Sequence, residues 1–170
     1  MALKYFLINF QNEHMDISVK VGVVVEGDDG KVLLIKEKLQ KKPVALWNII
    51  KGTYEQGESI FDAARRECRE EASVEVDLTH SLGAYVSEGP GKMRIQFNFL
   101  ARASGMNAKV ASSSEQVLRD ESIEEVRWFA KEEITSMHPS EFVSARAHEL
   151  LMDWVEGKKF PIEAFKQVEI

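Results

Sequence analysis

Three glutamates in one short stretch are the residues whose types and spacing could do chemistry. Glu67, Glu70 and Glu71 lie in the segment GTYEQGESIFDAARRECREEA, which covers residues 52–72. Residues 59–72 have helical periodicity, and at about 100° per residue the three carboxylates fall on one side of the helix. Like charges four residues apart repel each other, and the C-terminal end of a helix favours cations. The cluster therefore carries an electrostatic cost that calls for a compensating partner.

Two interpretations of this acidic face stay open from the helix alone. It could be a solvated surface, because the cost of roughly 0.5 to 1.5 kcal/mol is one that a whole domain can absorb. Alternatively it could bind a hard divalent cation such as Mg²⁺, which takes carboxylate oxygens together with substrate phosphates. Gly52 and Gly57 are predicted to bracket a loop before the helix, and a glycine there would let a main-chain carbonyl point at a shared metal ion. The opposite stripe, predicted to face the core, is formed by Phe61, Ala64, Cys68 and Ala72.

Composition limits what kind of protein must position these side chains. The chain has 170 residues, 44% of them hydrophobic and 29% charged, as expected for one globular domain. A net charge of -6 argues against general nucleic-acid binding. The single cysteine, Cys68, excludes an intrachain disulfide and fits a reducing compartment. The N-terminal segment fails as a signal peptide and no run of 18 apolar residues occurs, so we expect a cytoplasmic protein without membrane contact.

Strands and helices alternate along the chain, which predicts one α/β or α+β domain. Two hairpins are expected, one over residues 19–35 with a Gly-Asp-Asp-Gly turn and one with Gly89-Pro90-Gly91 as its turn. Residues 104–116 are predicted to be a loop, followed by a strand over 123–129 and a short helix after it. A last helix is predicted to begin at a Ser140 cap and to end at Gly157, with Phe142, Val143, Ala147, Leu150, Leu151 and Trp154 as its apolar stripe.

The segment that holds the glutamates resembles the Nudix box, the signature of the Nudix (MutT-like) hydrolase family. The matching positions are Gly52, Glu58, Arg66, Glu67, Cys68, Glu70, Glu71 and Val74. Ser73 stands where the family has glycine, and Ile50-Lys51 stands where it commonly has Pro-Gly. With the flanking elements the resemblance spans about residues 17–156. It implies a Nudix-like α/β/α sandwich with a mixed central sheet over residues 17–170, preceded by an N-terminal extension or extra strand over residues 1–16.

What the resemblance implies about activity is hydrolysis of a nucleoside diphosphate linked to another group, with Mg²⁺ or Mn²⁺ as the cofactor. Glu67 and Glu71 would be direct metal ligands, and Glu70 would be either a third ligand or the base acting through water. The Gly52 carbonyl would complete part of the metal shell. Arg66 would orient the glutamates and Glu58 would pair with Arg66. The alternative is a catalytically impaired Nudix-fold module that binds nucleotide or has a regulatory role, and the two departures from the box motivate it.

Several further assignments remain open at the level of sequence. Some family members take a base from a later loop, for which this chain offers Glu115, Asp120, Glu121 and Glu124. Lys36, Lys51 and Arg94 could contact phosphate or be solvated, and for Lys51 we favour a side chain that points to solvent. Trp47, Tyr85 and Phe97 could stack on a base or belong to the core. The N-terminal segment could pack on its own domain or on a second copy, which would make a homodimer.

Overall fold

The computed structural model describes residues 15–168, and the predicted N-terminal extension therefore lies almost entirely outside the described residues. Within residues 15–168, eight strands and four α-helices follow one another. The strands are β1 (Asp16–Glu26), β2 (Val32–Glu37), β3 (Leu46–Asn48), β4 (Ile50–Thr53), β5 (Val76–Gly89), β6 (Lys92–Ala103), β7 (Ile123–Phe129) and β8 (Phe160–Pro161). The helices are α1 (Ile60–Ala72), α2 (Ser113–Leu118), α3 (Lys131–Ser136) and α4 (Ala145–Val155).

One mixed sheet holds these strands in the order β3-β2-β1-β6-β5-β8, with β4 paired to β1 and β7 paired to β2. Strand β1 runs parallel to β6 over its whole length, and the other pairings are antiparallel. The β-branched run in β1 suits this central position, because a strand covered on both faces needs apolar side chains on both. The sequence prediction of a mixed central sheet in an α/β/α arrangement is confirmed.

Two hydrophobic clusters cover the two faces of the sheet. Alternate residues of β1 point to opposite sides, so that Val21, Val23 and Val25 pack with α1, whereas Val24 packs with α4. The small side chains of α1, among them Ala64, let the helix approach the sheet closely. This packing holds the C-terminal half of α1, which carries the glutamates, against the sheet.

Local signals predicted some element boundaries correctly and others wrongly. Helix α1 begins after the Ser59 cap as predicted, and the Gly89-Pro90-Gly91 turn joins β5 to β6. Helix α4 begins at a Ser144 cap and not at Ser140, because residues 139–141 form a 3₁₀ turn and the Val143 amide donates to the Trp47 carbonyl (2.9 Å). Part of the predicted loop is helix α2, which buries no side chain.

Candidate active site

Glycine at position 52 makes room for a glutamate of α1. Gly52 lies in β4, paired with Val21 of β1, so it belongs to a strand and not to the loop that the sequence predicted. A Cβ at this position would lie 1.7 Å from the carboxylate carbon of Glu67. No side chain larger than hydrogen fits there while Glu67 keeps its place. The strand and the helix therefore meet at this residue pair.

Glu67 and Glu71 are buried, each with 6% of its surface exposed. Glu67 Oε1 accepts a hydrogen bond from Arg66 Nη1 (2.8 Å), and Glu71 Oε2 accepts one from the Lys51 amide (3.0 Å). Burial raises the pKa of Glu67, although Arg66 opposes the shift, and burial raises the pKa of Glu71 well above its ordinary value. Burial thus disfavours the charged form of each carboxylate, and the nearby charges of Arg66 and Lys51 offset this only in part.

Arg66 organises the neighbouring acidic side chains. Its Nε and Nη2 donate to the two carboxylate oxygens of Glu58 (3.1 and 2.8 Å), and its Nη1 also donates to Glu70 Oε2 (3.1 Å). A further bond from Nη2 to the Thr53 carbonyl (2.9 Å) ties the guanidinium to the end of β4. The hydrogen bonds from Arg66 lower the pKa of Glu58, and those to Glu58 raise the pKa of Arg66. The predicted pairing of Glu58 with Arg66 is present, and the orienting role of Arg66 stays a prediction.

These residues line a cavity of about 940 Å³ between the C-terminal half of α1, the sheet and the segment after α2. Roles were assigned above to six residues of the box, and all of them except Glu58 line the cavity: Gly52, Arg66, Glu67, Glu70 and Glu71. Two of the later-loop candidates, Asp120 and Glu121, also line the cavity, whereas Glu115 and Glu124 do not. Glu115 instead caps α2 through Ser112, and Glu124 is exposed on β7.

Glu121 stands out among the later-loop carboxylates. Its Oε1 accepts a hydrogen bond from Arg119 Nε (3.0 Å), and Arg119 Nη2 donates to the Glu70 carbonyl at the end of α1 (2.9 Å). Its Oε2 is buried and has no hydrogen-bond partner in the described part of the chain. A buried carboxylate oxygen without a partner is costly for the folded state, so this atom is available to a ligand.

Lys51 does not point to solvent, contrary to the preferred prediction. Its Nζ lies inside the cavity, 2.7 Å from Glu37 Oε1, and the same oxygen accepts a hydrogen bond from Asn48 Nδ2. Sequence reasoning missed Glu37 and Asn48, because they reach the cavity only through the pairing of β2 with β3. Of the two alternatives for the aromatic residues, the structure favours the core: Trp47 packs against Phe129, and neither Tyr85 nor Phe97 lines the cavity.

The donor set suits a hard divalent cation. Within residues 15–168 no three acidic, histidine or cysteine side chains are already close enough together to enclose a metal ion. Hydrogen bonds to Arg66 and to the Lys51 amide hold one oxygen of Glu67 and one of Glu71. The potential ligands are nevertheless all oxygens, which Mg²⁺ and Mn²⁺ prefer. A cation would also stabilise the charged form of the two glutamates, which burial disfavours.

Comparison with known proteins gives a consistent result. A model of the NUDIX domain matches residues 17–151. The chain is 29% identical over 140 residues to the human NAD-capped RNA hydrolase NUDT12, covering 78% of this chain but only 28% of that protein. It is also 29% identical over 150 residues to phosphatase NudJ of Escherichia coli O1:K1, covering 85% of this chain and 88% of that one.

Solved structures show the same fold. A NUDIX hydrolase from Nitrosomonas europaea superposes with a TM-score of 0.72 at 24% identity, covering 90% of this chain and 98% of that one. The MutT protein of Methanosarcina mazei Go1 superposes with a TM-score of 0.65 at 18% identity, covering 85% of this chain and 97% of that one.

Among the helices of residues 15–168, none is both long and apolar enough to cross a lipid bilayer.

Proposed function

Because the chain belongs to the NUDIX family, we propose that it is a hydrolase of phosphoric anhydride bonds that cleaves a nucleoside diphosphate linked to another group. The observation that carries the proposal is the placement of Glu67 and Glu71. Helix α1 and strand β4 bury these two carboxylates side by side at one wall of a large cavity, where burial disfavours their charged form. Buried carboxylates repel a polyanionic substrate. A site that binds such a substrate beside them therefore requires a cation between the carboxylates and the substrate.

The residues that would hold a divalent cation, Mg²⁺ or Mn²⁺, are Glu67 and Glu71, with Glu70 and the Gly52 carbonyl as further ligands. Such an ion supplies charge neutralisation of the diphosphate and lowers the pKa of a bound water. Arg66 holds Glu67 and Glu70 in place through Nη1, and Glu58 fixes the guanidinium through a bidentate pair. These side chains thus orient the carboxylates toward the cavity.

Hydrolysis adds water across the bridging P–O bond, so that one phosphorus gains the hydroxyl oxygen and the bridging oxygen leaves with the other phosphate. A proton must be removed from the attacking water. Glu121 is the later-loop carboxylate that we assign to this role, because its Oε2 is buried, without a partner in the described residues, and next to the cavity. Arg119 positions it by bonding both Glu121 and the end of α1.

The test is a screen of purified protein with Mg²⁺ or Mn²⁺ against nucleotide sugars, ADP-ribose, dinucleotides, dinucleoside polyphosphates and nucleoside di- and triphosphates. We expect turnover of at least one compound, lost on chelation and restored by the metal. Glu71→Gln keeps the shape of the side chain but removes its charge, and we expect it to lower turnover at least ~10²-fold. An unchanged rate in Glu71→Gln, or no cleavage of any compound, contradicts the proposal.

A second candidate, a nucleotide-binding module without catalysis, is favoured by one observation. The Lys51 ammonium lies inside the cavity, paired with Glu37, and so brings a fixed positive charge close to the proposed metal site. A binding module predicts that ADP-ribose or a related nucleotide raises the melting temperature while product release stays at background. Turnover in the same sample excludes it.

A further inference from the structure

Three basic side chains from three different elements meet at one end of the cavity. Lys20 of β1 and Arg94 of β6 lie on the same face of the sheet, because Ser18 is in register with Arg94 and side chains two residues apart share a face. On the other side of β6, Ser87 of β5 is in register with Arg94. Arg146 of α4 reaches this point and donates from Nη1 to Ser87 Oγ (2.6 Å). All three basic residues line the cavity.

Among residues 15–168, these three basic residues make no ion pair, in contrast to three others that line the same cavity. Arg66, Arg119 and Lys51 are each paired with a glutamate. By contrast, no carboxylate oxygen of residues 15–168 lies within 4.0 Å of a side-chain nitrogen of Lys20, Arg94 or Arg146. Within the described residues, the cluster is therefore a patch of positive charge without ion-pair partners that lines a concave surface.

The clustering of positive charge is least favourable at Lys20, which is partly buried, whereas Arg94 is exposed. Burial and then the nearby charge of Arg94 lower the pKa of Lys20, and the charges of Glu67 and Glu71 only partly oppose this shift. Its Nζ donates to Thr53 Oγ1, a neutral acceptor that does not balance the charge. A purely structural role would be served better by an uncharged residue or by an ion pair. An anionic ligand would relieve the repulsion.

The patch begins next to the proposed catalytic residues. Thr53 accepts from Lys20 through its hydroxyl and from Arg66 through its carbonyl (2.9 Å), so a single residue separates the two groups. From Lys20 the patch continues through Arg94 to Arg146 on α4. On the basis of the proposed function, we propose that Lys20, Arg94 and Arg146 form a subsite for a phosphoryl group that the substrate carries in addition to the diphosphate that is cleaved.

The chemistry of the subsite fits phosphate. A guanidinium offers paired N–H donors that match two phosphate oxygens, and an ammonium adds a compact charge. The additional group could be the third phosphate of a nucleoside triphosphate, or a phosphomonoester elsewhere on the substrate. Both present the same doubly charged oxygen cluster, and the experiment separates them.

Kinetics on matched pairs of substrates tests the subsite. The pairs are dGTP against dGDP, which differ by a chain phosphate, and NADPH against NADH, which differ by a phosphomonoester. In at least one pair we expect a kcat/KM at least tenfold higher for the compound with the extra phosphate. Arg94→Gln and Arg146→Gln should each raise KM for that compound about tenfold, with kcat within twofold. Arg102→Gln is the matched control, since Arg102 lies exposed on the same strand outside the cavity.

Equal kcat/KM values within both pairs, or a preference that survives both Arg94→Gln and Arg146→Gln, overturn the subsite. A binding measurement keeps this result separate from that of the proposed function. In EDTA, so that no metal ion contributes, inorganic tripolyphosphate should raise the melting temperature of the wild type more than that of Arg94→Gln or Arg146→Gln. This difference is expected even if no substrate is cleaved, and equal shifts in all three proteins would refute the subsite on their own.

Discussion

Replacing Gly52 by alanine tests the contact between β4 and α1 on which the site depends. The added Cβ would lie 1.7 Å from both Cδ and Oε1 of Glu67 and 2.1 Å from Oε2. Non-bonded carbon atoms prefer about 3.5 to 4.0 Å, so full relief of the clash moves the carboxylate by roughly 1.8 to 2.3 Å. It cannot do so without breaking the 2.8 Å bond from Arg66 Nη1. Gly52→Ala therefore displaces a proposed metal ligand without changing its chemistry.

The size of the effect follows from this displacement. A catalytic group misplaced by 1 Å can lose about 10²-fold in rate, so we expect kcat/KM to fall at least ~10²-fold. Overpacking at a buried position costs about 1 to 3 kcal/mol, which lowers the free energy of unfolding but leaves the protein folded. The measurement is steady-state kinetics on the best substrate of the screen, with circular dichroism and urea denaturation to confirm the fold.

Two further variants make this result interpretable. Gly89→Ala is the matched control, because no atom lies within 4 Å of a Cβ there and its φ is not in the left-handed region. Combining Gly52→Ala with Glu67→Asp shortens the carboxylate by one methylene and should recover part of the activity relative to Gly52→Ala alone. Activity within threefold of wild type in Gly52→Ala would refute the reasoning, since Glu67 would then not need its present position.

Three other outcomes are expected. Burial raises the Glu71 pKa well above its ordinary value, so ionisation destabilises the metal-free fold as the pH rises from about 4.5 toward the folded-state pKa. In EDTA, Glu71→Gln should therefore raise the free energy of unfolding by about 1 to 3 kcal/mol near neutral pH and by less in acid. A difference between variant and wild type that does not grow with pH contradicts this. Glu121→Gln should lower kcat at least ~10-fold while Glu124→Gln leaves it within twofold; equal effects would remove the assignment of the base. Ser73 ends α1 with φ 55°, so Ser73→Gly should stabilise the protein by about 1 kcal/mol in urea denaturation with unchanged kcat, and a loss of stability would be the contrary result.

The elements that local sequence signals determine could be predicted from the sequence. Helix α1 has a serine cap, an apolar stripe and a left-handed residue at its end, and each of these signals lies within a few residues of the boundary that it sets. Ser73 illustrates this well, because it stands where the resemblance has glycine and it adopts the positive φ of 55° that glycine tolerates best. The acidic face of α1 could be predicted for the same reason.

Other elements depend on contacts that the local sequence does not contain. Helix α2 has no buried side chain, and its only local signal was the pair Ser112 and Glu115, which forms a capping box. Both Ser140 and Ser144 are good helix caps. Only the docking of Phe142 beside Trp47 decides that α4 starts at the second. These choices are made by tertiary packing.

The arrangement of charge in the cavity could not be predicted, because sheet register creates it. Glu37 of β2 meets Lys51 of β4 only because both strands pair with β1. The basic patch likewise requires β1, β5, β6 and α4 together. Eight basic and seven acidic side chains line the cavity in a chain whose net charge is -6. The net charge of the whole chain argues against general nucleic-acid binding, but the cavity itself is close to neutral, and its acidic wall and its basic end lie in different parts of it. Its acidic wall, built on α1, suits a cation, whereas its basic end suits phosphate. A phosphorylated ligand can therefore enter an acidic protein with its charge balanced at both ends.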